Sequence, residues 1–282
     1  MSSERATEPF PQELLRKAKA ARQPSSVAIP MPDCPKVRAI AWTRPGVAPW
    51  LSHPVCYFAI MSTNSESPAV TEIAFILDRS GSMQPHAETA VAGFNEFLRE
   101  QKEVEGIARL TLVLFDDRYE VPVDNIPVIE VVDLDQETYT PRGSTALLDA
   151  IGRTIKDFRK RIKELPEEAR PGKVIFAIFT DGLENSSRHY DWKKIADKIR
   201  KRQDKDGWEF LFLAAGQDAI ATAAQMNIGA HNAACAAPGA TGIRTSSRSF
   251  SRKVRAMREM KHDNPDLQAP MDQILRDEEG KE

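Results

Sequence analysis

Cysteine, long apolar runs and net charge are all scarce in this chain. Its 282 residues include three cysteines, Cys34, Cys56 and Cys235, which are scattered and show no C-x-x-C spacing. An odd, scattered set argues against a disulfide framework and against a zinc site, because both need paired or closely spaced thiols. The formal net charge is −2. The whole-chain charge therefore gives no reason to expect nucleic acid or acidic lipid as a partner.

The N-terminal sequence shows no targeting signal. It carries acidic residues early and has no apolar h-region of the kind that a secretory signal needs. The most apolar stretch nearby, residues 55–61, is far too short to span a bilayer. We therefore expect a cytoplasmic protein without membrane contact.

Proline divides the chain into two regions. Ten of the 19 prolines lie in residues 1–68, where no helical or strand period is sustained. Proline at this density removes backbone donors and prevents long helices, so it predicts a disordered N-terminal segment. The apolar residues in this segment leave a partner-binding tail as the alternative. The sequence from Met61 also has the form of a natural start, so the upstream part is either native or an artefact of gene-start assignment.

Residues 69–261 alternate between apolar strand-like runs and amphipathic helical patterns. Continuous apolar runs predict buried strands at residues 73–77, 110–115, 174–179 and 208–214. Strands separated by helices imply a mostly parallel sheet covered on both faces. Residues 118–123 alternate and follow a tight turn, which predicts one antiparallel edge strand. The fold class is thus a doubly wound α/β domain over 69–261, followed by a polar, frayed tail over 262–282.

Three short polar segments each follow or adjoin a predicted strand. They are Asp78-Arg79-Ser80-Gly81-Ser82, Gly143-Ser144-Thr145 and Thr180-Asp181-Gly182. Taken singly, each has the composition of an ordinary turn. Taken together they offer two carboxylates and three hydroxyls, an all-oxygen set that suits Mg²⁺ better than zinc or copper. Since ligands of open parallel sheets bind beyond the carboxyl ends of the strands, we expect the segments to meet in one crevice.

The order and types of these residues resemble the metal-ion-dependent adhesion site of von Willebrand factor A domains, in particular intracellular bacterial or phage members. The pattern of that site is D-x-S-x-S with a distant Thr and a distant Asp. The resemblance implies a Rossmann-like sheet with strand order 3-2-1-4-5-6. It also implies a Mg²⁺ site, with Mn²⁺ as a substitute, whose metal-contacting residues are Asp78, Ser80, Ser82, Thr145 and Asp181. In that family the open metal position is filled by a carboxylate from a protein partner.

The resulting hypothesis is a metal-dependent adaptor that binds an acidic protein partner and is not an enzyme. The sequence has no G-x-x-x-x-G-K-[ST] loop, no G-x-G-x-x-G after the first strand and no G-x-S-x-G elbow. Ser80 also stands where a D-x-D nucleophile motif would place its second carboxylate. The alternative is a Mg²⁺-dependent hydrolase or nucleotide-binding regulator on the same fold.

Further candidates lie outside the five-residue set. His86 is interpreted as a solvated side chain near the metal loop, and Glu184 and Asn185 as capping residues rather than residues that tune the site. The last predicted helix carries a basic face that is either solvated or a patch for an acidic partner. It consists of Arg248, Arg252, Lys253, Arg255 and Arg258.

Overall fold

The structure is a computed structural model. It describes residues 70–181, 183–215, 219–237, 239–259 and 264–281. The predicted N-terminal segment, residues 1–68, lies outside the described residues, so its disorder stays a prediction. No helix in the described part of the chain is both long and apolar enough to cross a membrane.

The described residues form one six-stranded sheet. Its strands are β1 (Thr71–Asp78), β2 (Ala108–Phe115), β3 (Tyr119–Pro127), β4 (Lys173–Thr180), β5 (Glu209–Ala215) and β6 (Ala233–Ala236). They lie in the order β3-β2-β1-β4-β5-β6, and all neighbours are parallel except the antiparallel pair β2 and β3. This confirms the predicted doubly wound, mostly parallel α/β sheet with its antiparallel edge strand. The strand order implied by the family resemblance is confirmed as well.

Helices cover both faces of the sheet. They are α1 (Ala87–Glu103), α2 (Leu147–Glu164), α3 (Trp192–Asp206), α4 (Ala219–Gln225), α5 (Ala240–Glu259), α6 (Pro265–Gln268) and α7 (Met271–Glu279). Short 3-10 turns lie at Gly81–His86, Val128–Glu130, Glu167–Ala169 and Ala230–Asn232. Helix α2 shows why these segments become helical, since Leu148, Ile151, Ile155 and Phe158 recur at helical spacing and are all buried.

Two hydrophobic cores lie on opposite faces of the sheet, and β1 contributes to both. Phe75 belongs to the core under α1 and α5, whereas its neighbour Ile76 belongs to the core under α2 and α3. Phe75 packs against Phe94 and Phe97 with ring centroids 5.2 and 4.8 Å apart. Such aromatic pairs contribute about 0.5–1.5 kcal/mol each beyond burial. β1 is therefore held from both sides, which makes its end a rigid base for a site.

The pairing register aligns the carboxyl ends of β1 and β4. Leu77 pairs with Phe179, so Asp78 and Thr180 lie side by side at the same edge. The chain leaves β1 toward β2 and β3, but leaves β4 toward β5 and β6. The edge beyond β1 and β4 is therefore the point where strand order reverses, which is where ligands bind in open α/β sheets.

The C-terminal end differs from the predicted frayed tail. Helix α7 buries Met271, Ile274 and Leu275. Met271 and Leu275 belong to the core under α1 and α5, and Ile274 is fully buried. The prediction of fraying is wrong because these apolar residues follow helical spacing within a segment whose average composition is polar and acidic. The end of the described chain is thus part of the packed domain.

Candidate metal centre

Asp78, the last residue of β1, forms the floor of the site. Its side chain is fully buried. One carboxylate oxygen accepts a 2.7 Å hydrogen bond from the Ser80 backbone N–H, and the other accepts a 2.5 Å bond from the Thr180 hydroxyl. The Tyr139 hydroxyl donates to the Asp78 backbone carbonyl at 2.5 Å. These contacts fix the position and the rotamer of the carboxylate.

A chain of hydrogen bonds joins the first polar segment to the third. The Ser80 and Ser82 hydroxyls lie 3.0 Å apart, and the Ser82 hydroxyl donates to a carboxylate oxygen of Asp181 at 2.8 Å. The Ser80 backbone N–H also donates to the Asp78 carboxylate. Hydrogen bonds therefore join four of the five predicted metal-contacting residues, namely Asp78, Ser80, Ser82 and Asp181. Gly182, the last residue of the third segment, lies outside the described residues.

The second polar segment is tied through its backbone to the first segment and to the loop that follows the third. The Gly81 N–H donates to the Gly143 carbonyl at 3.1 Å, and the Thr145 N–H donates to the Asn185 side chain at 2.9 Å. Gly143 has a φ of +67°, and a Cβ there would lie 2.1 Å from an Asp117 carboxylate oxygen. Both facts call for glycine at that position. Thr145 is thereby brought to the same edge as Asp78 and Asp181.

The site has a buried floor and an open rim. Asp78, Ser80 and Thr145 are at most 3% exposed. Ser82 is exposed and Asp181 is half-buried. A ligand from solvent can therefore approach the rim residues, while the floor residues are held in a shielded environment.

Both carboxylates have raised pKa values. Burial raises the pKa of Asp78 to about 6, against the opposing effect of its hydrogen bonds, and the negative charge of Asp181 adds to the rise. Burial also raises the pKa of Asp181, opposed by the Ser82 hydrogen bond and by the charge of nearby His86. The pKa of Tyr139 is raised by burial and by these two carboxylates. The site thus places two carboxyl groups close together where burial disfavours their charged forms.

The residues present fit a hard divalent cation. Two carboxylates balance a charge of +2, and neutral hydroxyls add oxygen ligands, as Mg²⁺ prefers. No group of three or more His, Cys, Asp or Glu side chains suited to a metal occurs among the described residues. The proposed donor set has only two acidic side chains and so falls outside such a group, and its all-oxygen composition suits Mg²⁺ better than zinc.

A buried ion-pair network fixes the loop beside the floor. Arg79 is 3% exposed and contacts Asp116 at 3.0 Å and Glu120 at 2.9 Å. Arg142, three positions before Thr145, contacts the same two carboxylates. The network therefore clamps the first and second polar segments together. The sequence predicts no role for Arg79 here, because nothing in local spacing pairs residues 37 positions apart.

The loop after Asp181 caps helix α2. The Glu184 carboxylate accepts from the Leu148 N–H in the first turn of α2 at 3.0 Å and from the Ser187 N–H at 2.8 Å. The Asp149 carboxylate on α2 in turn accepts hydrogen bonds from the backbone N–H groups of residues 188–190 in this loop. The interpretation of Glu184 as a capping residue is confirmed. The Asn185 side chain likewise accepts a hydrogen bond from a backbone N–H, that of Thr145. Carboxylates at a helix N-terminus are also favoured by the helix dipole.

The predicted basic face on α5 is largely engaged within the domain, so the interpretation as a solvated face is wrong for all of its residues except the exposed Arg255, and the partner patch stays a prediction. Arg252 binds Asp266 and Glu278, and Arg258 donates to the backbone carbonyl of Gln101. Lys253 is fully buried and donates to the carbonyls of residues 266, 267 and 269. These cations hold α5 against its neighbours. The sequence missed this because their partners lie on α1 and in the C-terminal segment.

Comparison with known proteins gives structural neighbours only. No protein-family model matches the chain, and no curated protein sequence matches it. Among solved structures, proximal thread matrix protein 1 from the mussel byssus, with a zinc-occupied MIDAS motif, is 15% identical with a TM-score of 0.47. A von Willebrand factor type A protein from Catenulispora acidiphila is 14% identical with a TM-score of 0.44. The manganese-loaded TRAP protein of Plasmodium vivax is 18% identical with a TM-score of 0.39.

These matches cover only parts of the proteins compared. The first two cover 67% of this chain, and 46% and 43% of the matched chains. The third covers 53% of this chain and 58% of the matched chain. The chain therefore spans about half the length of the structures that it matches. At these identities no ligand, activity or partner of those proteins carries over to this chain.

Proposed function

We propose that this chain is a von Willebrand factor A-type protein-binding module that docks an acidic residue of a partner at a Mg²⁺ site. The proposed metal-contacting residues are Asp78, Ser80, Ser82, Thr145 and Asp181. The observation that carries the proposal is the hydrogen-bonded series from buried Asp78 through Ser80 and Ser82 to half-buried Asp181. It gathers an all-oxygen donor set at the strand-order reversal and leaves its outer end open.

The chemistry of the donor set explains why a partner carboxylate would bind. Bound Mg²⁺ supplies Lewis acidity, which neutral hydroxyls reduce less than carboxylates would. Ser82 and Asp181 lie at the exposed rim, so a partner side chain can reach the site without a rearrangement of the floor. Asp78 is held by Thr180 and by the Ser80 N–H, and its position therefore does not depend on the partner.

The carboxylate preference can be tested with Mn²⁺ in place of Mg²⁺. Mn²⁺ bound with retained waters enhances the relaxation of water protons, and acetate that occupies an open position displaces one such water. We expect acetate to lower the enhancement and neutral acetamide, of nearly the same shape, to leave it unchanged. Asp181→Asn should weaken Mn²⁺ binding itself, whereas the nearby exposed Asp117→Asn should not. Equal effects of acetate and acetamide would contradict the proposal.

We propose binding rather than catalysis. The sequence lacks the phosphate-binding loops of nucleotide enzymes, and the Tyr139 hydroxyl beside the floor already donates to the Asp78 carbonyl. The alternative, a Mg²⁺-dependent hydrolase or nucleotide-binding regulator, predicts turnover of p-nitrophenyl phosphate or ATP by the metal-loaded protein. We expect no turnover above the level of an Asp78→Asn variant.

A further inference from the structure

A basic groove lies between α2 and α3, away from the metal centre. Both helices pack on the same face of the sheet, and the groove between them has a volume of about 500 Å³. A second cavity of about 600 Å³ continues it past the start of β4. The two cavities share Arg159, Lys163, Lys201 and Arg202 as lining residues. They therefore form one continuous groove, which we call the α2–α3 groove.

The charge of the α2–α3 groove is almost entirely positive. Ten basic side chains line it, against two carboxylates, Asp197 and Asp206. Both carboxylates are already paired within α3, Asp197 with Arg200 and Asp206 with Arg202. Of the ten cations, only Arg202 forms an ion pair among the described residues, and the exposed Lys163 and Lys201 are among the nine that do not. The groove thus carries uncompensated positive charge although the chain as a whole has a net charge of −2.

The lowered pKa of Lys198 shows that these cations lie close together. Partial burial lowers the pKa of Lys198, and the positive charges of Arg159, Arg202, Lys156 and Lys201 lower it further. Its ammonium lies 5.3 Å from the centre of the Tyr190 ring, a contact that favours the charged form. An anion in the groove would relieve the mutual repulsion of these side chains.

The spacing of the cations suits a regular, extended polyanion. Lys156, Lys160 and Lys163 lie on successive turns of α2, and Lys198, Lys201 and Lys205 do so on α3. One helical turn rises about 5.4 Å, so each wall presents a positive charge at roughly that interval. A single small anion would use only one or two of these positions. A chain of phosphates would use most of them.

Other kinds of occupant fit the groove less well. Of the large hydrophobic residues exposed in the described chain, none lines the groove. Protein interfaces are anchored by apolar and aromatic side chains, and peripheral membrane binding needs apolar residues that insert into the bilayer. The chain's own N-terminal segment, residues 1–68, has eight Lys and Arg against five Asp and Glu, so its net charge has the wrong sign.

We propose that the α2–α3 groove binds the phosphate backbone of a nucleic acid without sequence selectivity. Phosphate contacts by Lys and Arg supply affinity that is independent of sequence. The large aromatic lining residue, Trp208, is only 4% exposed, so it offers no stacking surface to the bases. This reverses the expectation drawn from the overall net charge, because acidic residues elsewhere in the chain conceal the local excess.

The groove shares no lining residue with the proposed metal site, and its far end lies at the opposite edge of the sheet. Lys173, which lines its far end, is the first residue of β4, whereas Thr180 at the metal edge is the last. A strand of this length spans about 23 Å at 3.3 Å per residue. Loss of the metal should therefore leave nucleic-acid binding intact, and the two proposals can fail separately.

The test is fluorescence anisotropy of the full chain with a labelled 20-nucleotide oligo(dT). With about five phosphate contacts, affinity should fall roughly a hundredfold between 50 and 200 mM salt. The double variant Lys163→Gln/Lys201→Gln removes two exposed cations from the groove and should lower the logarithmic salt slope by about 1.4. Arg99→Gln/Arg276→Gln makes the same charge change at exposed positions outside the groove and should leave the affinity unchanged. Asp181→Asn and EDTA should also have no effect.

Three results would overturn this proposal. The first is the absence of binding at 50 mM salt by the wild-type chain, whose fold is verified by circular dichroism. The second is equal weakening by the groove pair and the control pair, which would indicate a general charge effect or binding by residues 1–68. The third is equal or tighter groove-dependent binding of phosphatidylserine vesicles or polyglutamate, which would assign the groove to another partner.

Discussion

The Ser82 hydroxyl donates a 2.8 Å hydrogen bond to the Asp181 carboxylate, across 99 positions of sequence. This bond closes the series that begins at the buried Asp78. It exists because β1 and β4 are neighbours and end at the same edge of the sheet. The loops after these strands therefore meet, although two further strands and two helices lie between them in the chain.

Tyr139 supports the floor of the site, and its loss should affect metal binding as well as stability. Tyr139→Phe removes the hydroxyl that donates to the buried Asp78 carbonyl. An unpaired buried acceptor costs about 1–3 kcal/mol, and groups that support a metal ligand typically contribute about 10–100-fold to affinity. Urea unfolding and Mn²⁺ titration measure the two effects.

Tyr119→Phe is the matched control for this change. The Tyr119 hydroxyl lies 3.1 Å from the Thr154 hydroxyl, remote from the carboxylates of the site. We expect it to lower stability modestly without changing the affinity for Mn²⁺. The supporting role of Tyr139 would be contradicted if the two variants bound Mn²⁺ equally well.

Thr145 should matter more for partner binding than for folding. The Thr145 N–H donates to the Asn185 side chain, and the Thr145 carbonyl accepts from the Asn185 N–H. Neither hydrogen bond involves the Thr145 side chain. Thr145→Ala should therefore reduce metal-dependent capture of acidic partners on immobilised protein, while the melting temperature changes little. Ser144→Ala removes a hydroxyl from the adjacent position and should leave capture intact. Capture that survives both EDTA and Thr145→Ala would show that the crevice is not the docking site.

Helix α7 should contribute to global stability. Ile274 is fully buried, and Ile274→Ala should cost about 2–5 kcal/mol because it removes core contacts and leaves a cavity. Gln273→Ala on the exposed side of the same helix should be nearly neutral. Equal, small effects in denaturant unfolding would mean that the C-terminal segment does not pack as described.

Much of the fold could be predicted because its signals are local. Continuous apolar runs such as residues 174–179 mark strands buried on both faces, and alternation after Asp116 marks the edge strand. The meeting of the D-x-S-x-S and T-D-G segments followed from strand ends in an open sheet. These features depend on residue patterns within a few positions of each other.

The rest depends on contacts between distant residues. The pairing of Arg79 with Asp116 and the support of Asp78 by Tyr139 join residues 37 and 61 positions apart, which no local pattern specifies. The partners of the cations on α5 and the burial of α7 are of the same kind. The α2–α3 groove was missed because whole-chain charge averages over a surface on which basic residues of two helices meet.

The most direct test of the account is a calorimetric titration of Mg²⁺ into the wild-type chain, Asp181→Asn and Asp78→Ala, with Asp117→Asn as the control. We predict one ion per wild-type chain, unchanged binding in the control, and affinity lowered by more than about tenfold when either site carboxylate is lost, because neutral hydroxyls alone compensate a divalent charge poorly. Circular dichroism verifies that each variant is folded. Unchanged affinity in folded Asp78→Ala and Asp181→Asn would contradict the central claim.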